Sequence, residues 1–465
     1  MLLGSRYERS APLNTHRAED PFEYVGYDVD PDQNRVACHY RIGDDSFTEV
    51  FAFPEGGDWS SPIVSEATRL LYLLAGVSYY KTRAPRVIDV GSTPIRDEER
   101  SFLRTYYVSG LGEFAYRLRE TQPEDFPDGL DLSDLELRGG VDAGAPLGPV
   151  DRARTRPLIP FGGGLDSIVS VAMLQGEVDD AALFIVNRID DRYAAIEAPA
   201  ALTGLPVVRA ERSIDEKVLA SKARGYLNGH VPVTGIISAM AVLAAALLDR
   251  DAVVMSNEWS ASSATLVDAR GHEVNHQFSK SFEFERSFVS LLRASGLPDY
   301  FSLLRSSTEL WIADYFARHC GEYLTTFRSC NRSFAIDPAR RLDHWCGVCD
   351  KCAFIDLILS PFVPATALAA VFPAVEPLQN PELLPEFERL LGLGDESKPW
   401  ECVGDVTESR VALRMAADRP DRNTPFLAEL VERSAPYADP EPADLLRAVG
   451  PHLIPERYAR LVDLG

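Results

Sequence analysis

The chain is poor in cysteine, has no long apolar run and carries too little positive charge for its length, and each shortage removes a class of function. Seven cysteines in 465 residues is an odd number, and no signal-peptide core precedes them in MLLGSRYERS, so a disulfide framework is excluded. No stretch reaches the roughly 18 uninterrupted apolar residues of a membrane span, so a membrane is not expected as a partner and the expected location is the cytoplasm. Lys and Arg total 47 against 70 Asp and Glu, for a net charge of -23. That balance repels a polyphosphate backbone and lacks the basic face that nucleic-acid partners require. Neither G-x-x-x-x-G-K-[ST] nor G-x-G-x-x-G occurs, and no pyridoxal or flavin site and no internal repeat is visible.

What is present is Gly162-Gly163-Gly164-Leu165-Asp166-Ser167. It follows the apolar run Pro157 to Phe161 and opens a helical run from Ile168 to Leu174. Strand, glycine loop and helix start in that order build an anion site, because glycines let backbone N–H groups close on the ligand and the helix start adds unpaired donors and partial positive charge. The expected ligand is a phosphate or pyrophosphate. The run resembles the S-G-G-x-D-S loop of the ATP pyrophosphatase superfamily, with Gly162 in place of the usual Ser. The bland alternative is a turn capped by Asp166 ahead of an ordinary helix.

The fold class read from the pattern is α/β, with a parallel-sheet domain of the ATP pyrophosphatase type, an N-terminal α+β domain and a C-terminal helical region. Residues 1–120 carry three β-rich segments between Phe22 and Phe53, a helix from about Ile63 to Ala75, a strand near Val87 to Val90 and a helix from about Asp97 to Arg119. Residues 121–155, rich in Pro, Gly and acids, are the expected linker. Residues 156–360 alternate short apolar strands (Ala181 to Val186, Pro206 to Val208, Ala252 to Met255) with helices (Ala194 to Leu202, Gly235 to Leu248), the mark of a parallel sheet covered on both faces. Ligands of such sheets lie beyond the carboxyl ends of the strands, which makes Asn187, Arg188, Arg209 and Ser256-Asn257-Glu258 site candidates. Residues 361–465 read as helical, acidic and punctuated by proline.

Cys330, Cys346, Cys349 and Cys352 form the pattern C-x15-C-x2-C-x2-C. Four thiolates within reach suit the tetrahedral preference of Zn2+, with an iron–sulfur cluster or free thiols as alternatives. The order is similar to a zinc cluster of queuosine-pathway ATP pyrophosphatases. Such a closed site would clamp the segment Thr325 to Phe354 over the nucleotide domain.

Wider text extends the likeness: GVSYYK from Gly76, GLGEFAYR from Gly110, PFGGGLDS, MSNEWSAS from Met255, VNHQFSKS from Val274, SCNRSF from Ser329, WCGVCDKC from Trp345 and KPWECVG from Lys398. Together these resemble the ATP-dependent epimerases that act on UDP-N-acetylmuramoyl-L-alanyl-L-glutamate in peptidoglycan synthesis. The resemblance implies inversion of the terminal L-Glu of UDP-MurNAc-L-Ala-L-Glu through an acyl-adenylate, with release of AMP and diphosphate. It implies that Gly162, Gly163, Gly164 and Ser167 hold the phosphates of ATP and that Asp166 caps the helix or helps to hold Mg2+. Arg188, Arg209, Lys280, Arg328 and Arg332 are candidates to offset the charge of ATP and of the UDP-sugar. For proton transfer at Cα the candidates are Glu258, after a strand, and His276 and Lys280, which share a face if VNHQFSKS is helical; Cys320 is a further thiol, with helix packing as its default. An amide- or nitrile-forming ligase like 7-cyano-7-deazaguanine synthase is the alternative that the cysteine pattern alone favours, and a noncatalytic nucleotide sensor is a third.

Overall fold

Alternation of apolar and polar residues makes the first three strands, β1 (Phe22–Asp30), β2 (Arg35–Ile42) and β3 (Asp45–Ala52), an antiparallel meander whose Phe22, Tyr24, Val36, Tyr40, Phe47 and Phe51 point inward. The computed structural model describes residues 17–372, 374–394 and 398–461. The N-terminal segment read above for a signal core lies outside them. Further strands are β4 (Val87–Asp89), β5 (Glu136–Arg138), β6 (Leu158–Pro160), β7 (Ala182–Arg188), β8 (Val207–Ser213), β9 (Ala252–Met255), the hairpin β10 (Leu266–Val267) and β11 (Glu273–Val274), and β12 (Asp299–Ser302).

Ten of these strands form one sheet in the order β12-β9-β6-β7-β8-β3-β2-β1-β4-β5. The protein is α/β, and the half from β12 to β8 is parallel throughout. The meander joins it edge to edge, because β3 pairs antiparallel with β8. The sheet is therefore continuous across the stretch read as a linker, which itself supplies β5.

The helices of eight or more residues are α1 (Pro62–Ala75), α2 (Asp97–Gly110), α3 (Gly112–Thr121), α4 (Leu165–Leu174), α5 (Ala194–Thr203), α6 (Val233–Leu247), α7 (Phe282–Ala294), α8 (Glu309–His319), α9 (Asp350–Leu359), α10 (Leu384–Leu391), α11 (Val406–Ala417) and α12 (Pro425–Ser434). One helix was expected over Asp97 to Arg119. It is instead broken into α2 and α3 at the fully buried Leu111, which sits between two poor helix formers, Gly110 and Gly112.

Strand residues in the parallel half feed two cores in strict alternation. Leu158, Ala182, Phe184, Val253 and Tyr300 join the core under α1, α6 and α7, whereas Ile159, Leu183, Ile185, Val254 and Phe301 join the core under α4, α8, α9 and α11. This is the two-sided burial of a parallel sheet, and it explains the nearly continuous apolar runs of β7 and β9. The C-terminal helices α10, α11 and α12 complete the second core through Leu390, Leu391, Val411, Leu413 and Leu430. Among the described residues no helix is long and apolar enough to cross a membrane.

Candidate active site

The connections leaving β6 and β7 run through α4 and α5 over one face of the sheet, and those leading into and out of β9 run through α6 and α7 over the other. The crevice opened by that reversal lies beyond the carboxyl ends of β6 and β9, where ligands of such sheets bind. A cleft of about 470 Å³ occupies this place. Gly162, Gly164, Asp166, Ser167, Ser256, Glu258, Lys280, Glu309, Arg328, Ser329, Lys351 and Cys402 are among its lining residues.

The glycine loop fits an anion. Gly163 has φ +74, and a Cβ there would collide with the Ala195 carbonyl oxygen, so glycine is required; its own carbonyl accepts the Arg328 backbone N–H at 2.9 Å. Gly164, not Asp166, is the N-cap of α4, and no side chain caps this helix. The first-turn N–H groups thus lack a side-chain acceptor, and the Asp166 carboxyl is left for the cleft. Ser167 Oγ donates to the Gly164 carbonyl at 3.0 Å. Around the loop, Ser256 Oγ, Ser329 Oγ and Arg328 Nε are buried without a hydrogen-bond partner among the described residues. Buried polar atoms of that kind are costly unless something satisfies them, and phosphate oxygens would.

Acidic groups crowd the far wall. Burial and the neighbouring Glu258 raise the Asp166 carboxyl to about 7, and burial with Asp166 and Glu258 pushes Glu309 well above the carboxylate range. Behind them burial raises Glu408 to about 8. Carboxyls held this far from their preferred charge would welcome a divalent cation, and Asp166 and Glu258, which both line the cleft, are the residues that could hold one.

The rest of the cleft is set by buried ties. Arg305, fully buried, donates to Glu285 at 2.7 Å and to the Glu258 and Lys280 carbonyls at 2.8 and 2.6 Å, so one guanidinium fixes both loops. His276 and Lys280 share a face only if VNHQFSKS is helical, and it is not. His276 lies in a turn after β11, and Lys280 ends a 3-10 turn, Phe278–Lys280; Lys280 Nζ lies 3.2 Å from the Cys402 sulfur, and the charge of His276 acts on the same thiol. Behind His276 stands Glu113 of α3, with Oε2 2.5 Å from His276 Nδ1 and 3.4 Å from His230 Nδ1. Burial opposes the charge of His276, but Cys402 and Glu113 raise it to about 9, while burial drives His230 down to about 4. Burial would raise the Cys402 thiol, and Lys280, His276 and Lys351 overcome it and bring the group to about 6.

Other candidates lie elsewhere. Arg209 is inside β8, not after it, because β7 pairs with that strand from Val207 through Arg212; its guanidinium is taken by Glu197 at 2.6 and 2.8 Å and by Asn187 at 3.2 Å. Arg188, at the end of β7, donates to the Ile336 carbonyl, and Arg332 is exposed; neither lines the cleft. Asn187 is buried. Cys320 packs in the second core with its thiol pushed up to about 12 by burial. Glu309, Lys351, Cys402 and Glu113 are the residues that sequence reasoning missed in these roles. Lys351 stands inside WCGVCDKC between two tetrad cysteines, and Cys402 inside KPWECVG reads as a scattered thiol with no local partner.

The sulfurs of Cys330, Cys346, Cys349 and Cys352 all lie within 4.8 Å of one another, with Cys352 Sγ 3.6 Å from Cys346 Sγ and 3.5 Å from Cys349 Sγ. Zn–S bonds of about 2.3 Å place tetrahedral sulfurs about 3.8 Å apart, so the group could hold such an ion. It borders the cleft: Cys349 is the N-cap of α9, and Lys351 between two of the thiols donates to the Cys402 carbonyl and lines the pocket.

Comparison with known proteins agrees along nearly the whole chain. The MurL N-terminal domain model matches residues 14–303 and the MurL C-terminal domain model residues 326–444. Proteins named UDP-N-acetyl-alpha-D-muramoyl-L-alanyl-L-glutamate epimerase are similar to it: one from Salinispora tropica is 38% identical over 96% of both chains, and one from Micromonospora sp. is 36% identical over 97% of this chain and 99% of its own. A third, from Xanthomonas oryzae pv. oryzae, is 37% identical over 86% of each. No solved structure matches.

Gly163→Ala is expected to lower stability by on the order of 3 kcal/mol, from the left-handed φ and the collision together, whereas Gly162→Ala, where a Cβ meets nothing, leaves it unchanged. Denaturant unfolding of both variants checks this.

Proposed function

The chain belongs to the MurL family of UDP-N-acetyl-alpha-D-muramoyl-L-alanyl-L-glutamate epimerases, and on that premise we propose that it inverts the terminal L-glutamate of UDP-MurNAc-L-Ala-L-Glu to D-glutamate in peptidoglycan synthesis. We propose further that ATP is its co-substrate and that it is a member of the ATP pyrophosphatase superfamily working in the cytoplasm. The observation that carries the ATP reading is the glycine loop at the switch point of the parallel sheet, with an uncapped helix start and unpartnered buried donors around it.

The chemistry needs that loop. A proton on Cα beside an ionised carboxylate is hard to remove, because the resulting carbanion puts a second negative charge on the same small group. Attack of the carboxylate on the α phosphorus of ATP gives a neutral acyl group with an adenylate leaving group, and the Cα proton becomes acidic enough for a side-chain base. Gly162, Gly163, Gly164 and Ser167 would cradle the pyrophosphate, and Arg328 and Ser329 would offset or hydrogen-bond its charge. Asp166 and Glu258 would hold Mg2+, which screens the phosphates when bound. The protein's own part is to present Lys280 and Lys351 to the anionic intermediates and to delay attack of water on the acyl carbon until the proton is returned. Hydrolysis then frees product and AMP. The four cysteines would hold a structural Zn2+, fixing Arg328, Ser329 and Lys351 at the rim of the cleft.

Turnover in deuterated water is expected to place deuterium at Cα of the product glutamate only when ATP is present, read by mass spectrometry of the product. Exchange without ATP, or inversion without AMP release, contradicts the proposal. Elemental analysis of protein purified without chelator is expected to find about one zinc per chain, and a metal-free protein of unchanged stability contradicts the structural role.

A further inference from the structure

The reaction requires a base at Cα, and the cleft holds one group that its ATP-binding parts leave unused. Cys38 and Cys320 are buried in the cores, four cysteines form the tetrad, and Cys402 is the cysteine that opens onto the cleft. It is the end of a line of three side chains drawn from distant parts of the chain. Glu113 of α3 holds His276 Nδ1 at 2.5 Å, the charge of His276 acts on the Cys402 thiol, and Lys280 Nζ approaches the same sulfur to 3.2 Å. The backbone at Cys402 is held as well, since Lys351 donates to its carbonyl. A carboxylate-held imidazole and an ammonium gathered around a thiol favour its thiolate at neutral pH. The second cation, Lys280, is what a purely structural cysteine would not need.

We propose that Cys402 is a catalytic residue of the epimerisation, its thiolate taking the Cα proton of the activated glutamate on one face, with His276 and Glu113 as positioning residues. The assignment rests on the reading of the cleft as an adenylating epimerase site. In the step the Cα–H bond breaks, its electron pair moves into the acyl group as an enolate, and an S–H bond forms. A proton drawn from water then closes the opposite face, and the thiol returns its own proton to water. The low thiol value of Cys402 agrees with this, because the group is already ionised when substrate arrives.

The test uses the full-length protein with ATP, Mg2+ and UDP-MurNAc-L-Ala-L-Glu, and compares Cys402→Ser and Cys402→Ala with the unaltered chain in two assays. Substrate-dependent exchange of labelled pyrophosphate into ATP reports a folded, adenylating site, and solvent deuterium entering Cα reports proton transfer. Both variants are expected to keep pyrophosphate exchange within about threefold while deuterium incorporation falls at least a hundredfold. Incorporation within tenfold of the unaltered chain overturns the assignment, and so does loss of both activities together, which makes the thiol part of activation or of the fold. If the unaltered chain incorporates deuterium without pyrophosphate exchange, the adenylation reading falls and the thiol is judged on incorporation alone. For the positioning residues, Glu113→Gln is expected to slow alkylation of Cys402 by iodoacetamide at pH 7 at least tenfold, read on the peptide containing it; an unchanged rate removes the relay.

Discussion

The crossover reversal between β6 and β9 is the constraint on which the rest of this protein depends. Two neighbouring parallel strands whose connections leave over opposite faces cannot close their carboxyl ends with a shared layer of helix. The gap receives the glycine loop from β6 on one side and Ser256-Asn257-Glu258 from β9 on the other. Every other element that reaches the cleft is placed by reference to that gap. Arg305 ties the Glu258 and Lys280 loops to α7 and β12, and the backbone bond from Arg328 to Gly163 draws the cysteine segment against the phosphate end.

The site also shows why the chain needs more than its parallel half. Carboxyls at Asp166, Glu309 and Glu408 sit within reach of one another under burial that disfavours their charge. Such a wall suits a cation bridging to phosphate. The end of the cleft at Cys402 has the opposite character, with Lys280 and His276 acting on a thiol. The carboxylate that steadies His276 comes from α3, on the N-terminal side of the shared sheet. Fusing the meander to β8 makes that placement rigid, since Val50, Phe51 and Ala52 pair directly with Ser213, Arg212 and Glu211.

Local signals in the sequence were enough for much of this. The meander, the strand–loop–helix unit at Gly162 to Ser167 and the cysteine tetrad are each written within a short stretch, where glycine chemistry, alternation and ligand spacing act at close range. What escaped depends on partners far away in the chain. β12 is four residues with a polar end and becomes a strand only because β9 offers it an edge. Arg209 changes from a strand-end residue to a mid-strand one because β7 pairs with β8 as far as Arg212. Cys402 reads as a lone thiol until Lys280 and His276, more than a hundred residues earlier, are folded against it. Asp166, which the local rule assigns as a helix cap, is displaced from that role because Gly164 already begins α4.

The central claim is that the cleft activates the substrate carboxylate with ATP before the proton moves. The most direct measurement gives the enzyme a dipeptide substrate carrying oxygen-18 in the α-carboxylate of its glutamate and follows the label into the nucleotide product. If the carboxylate attacks the α phosphorus and the acyl group is later released to water, one labelled oxygen appears in AMP. AMP free of label, formed while the glutamate is inverted, contradicts the account.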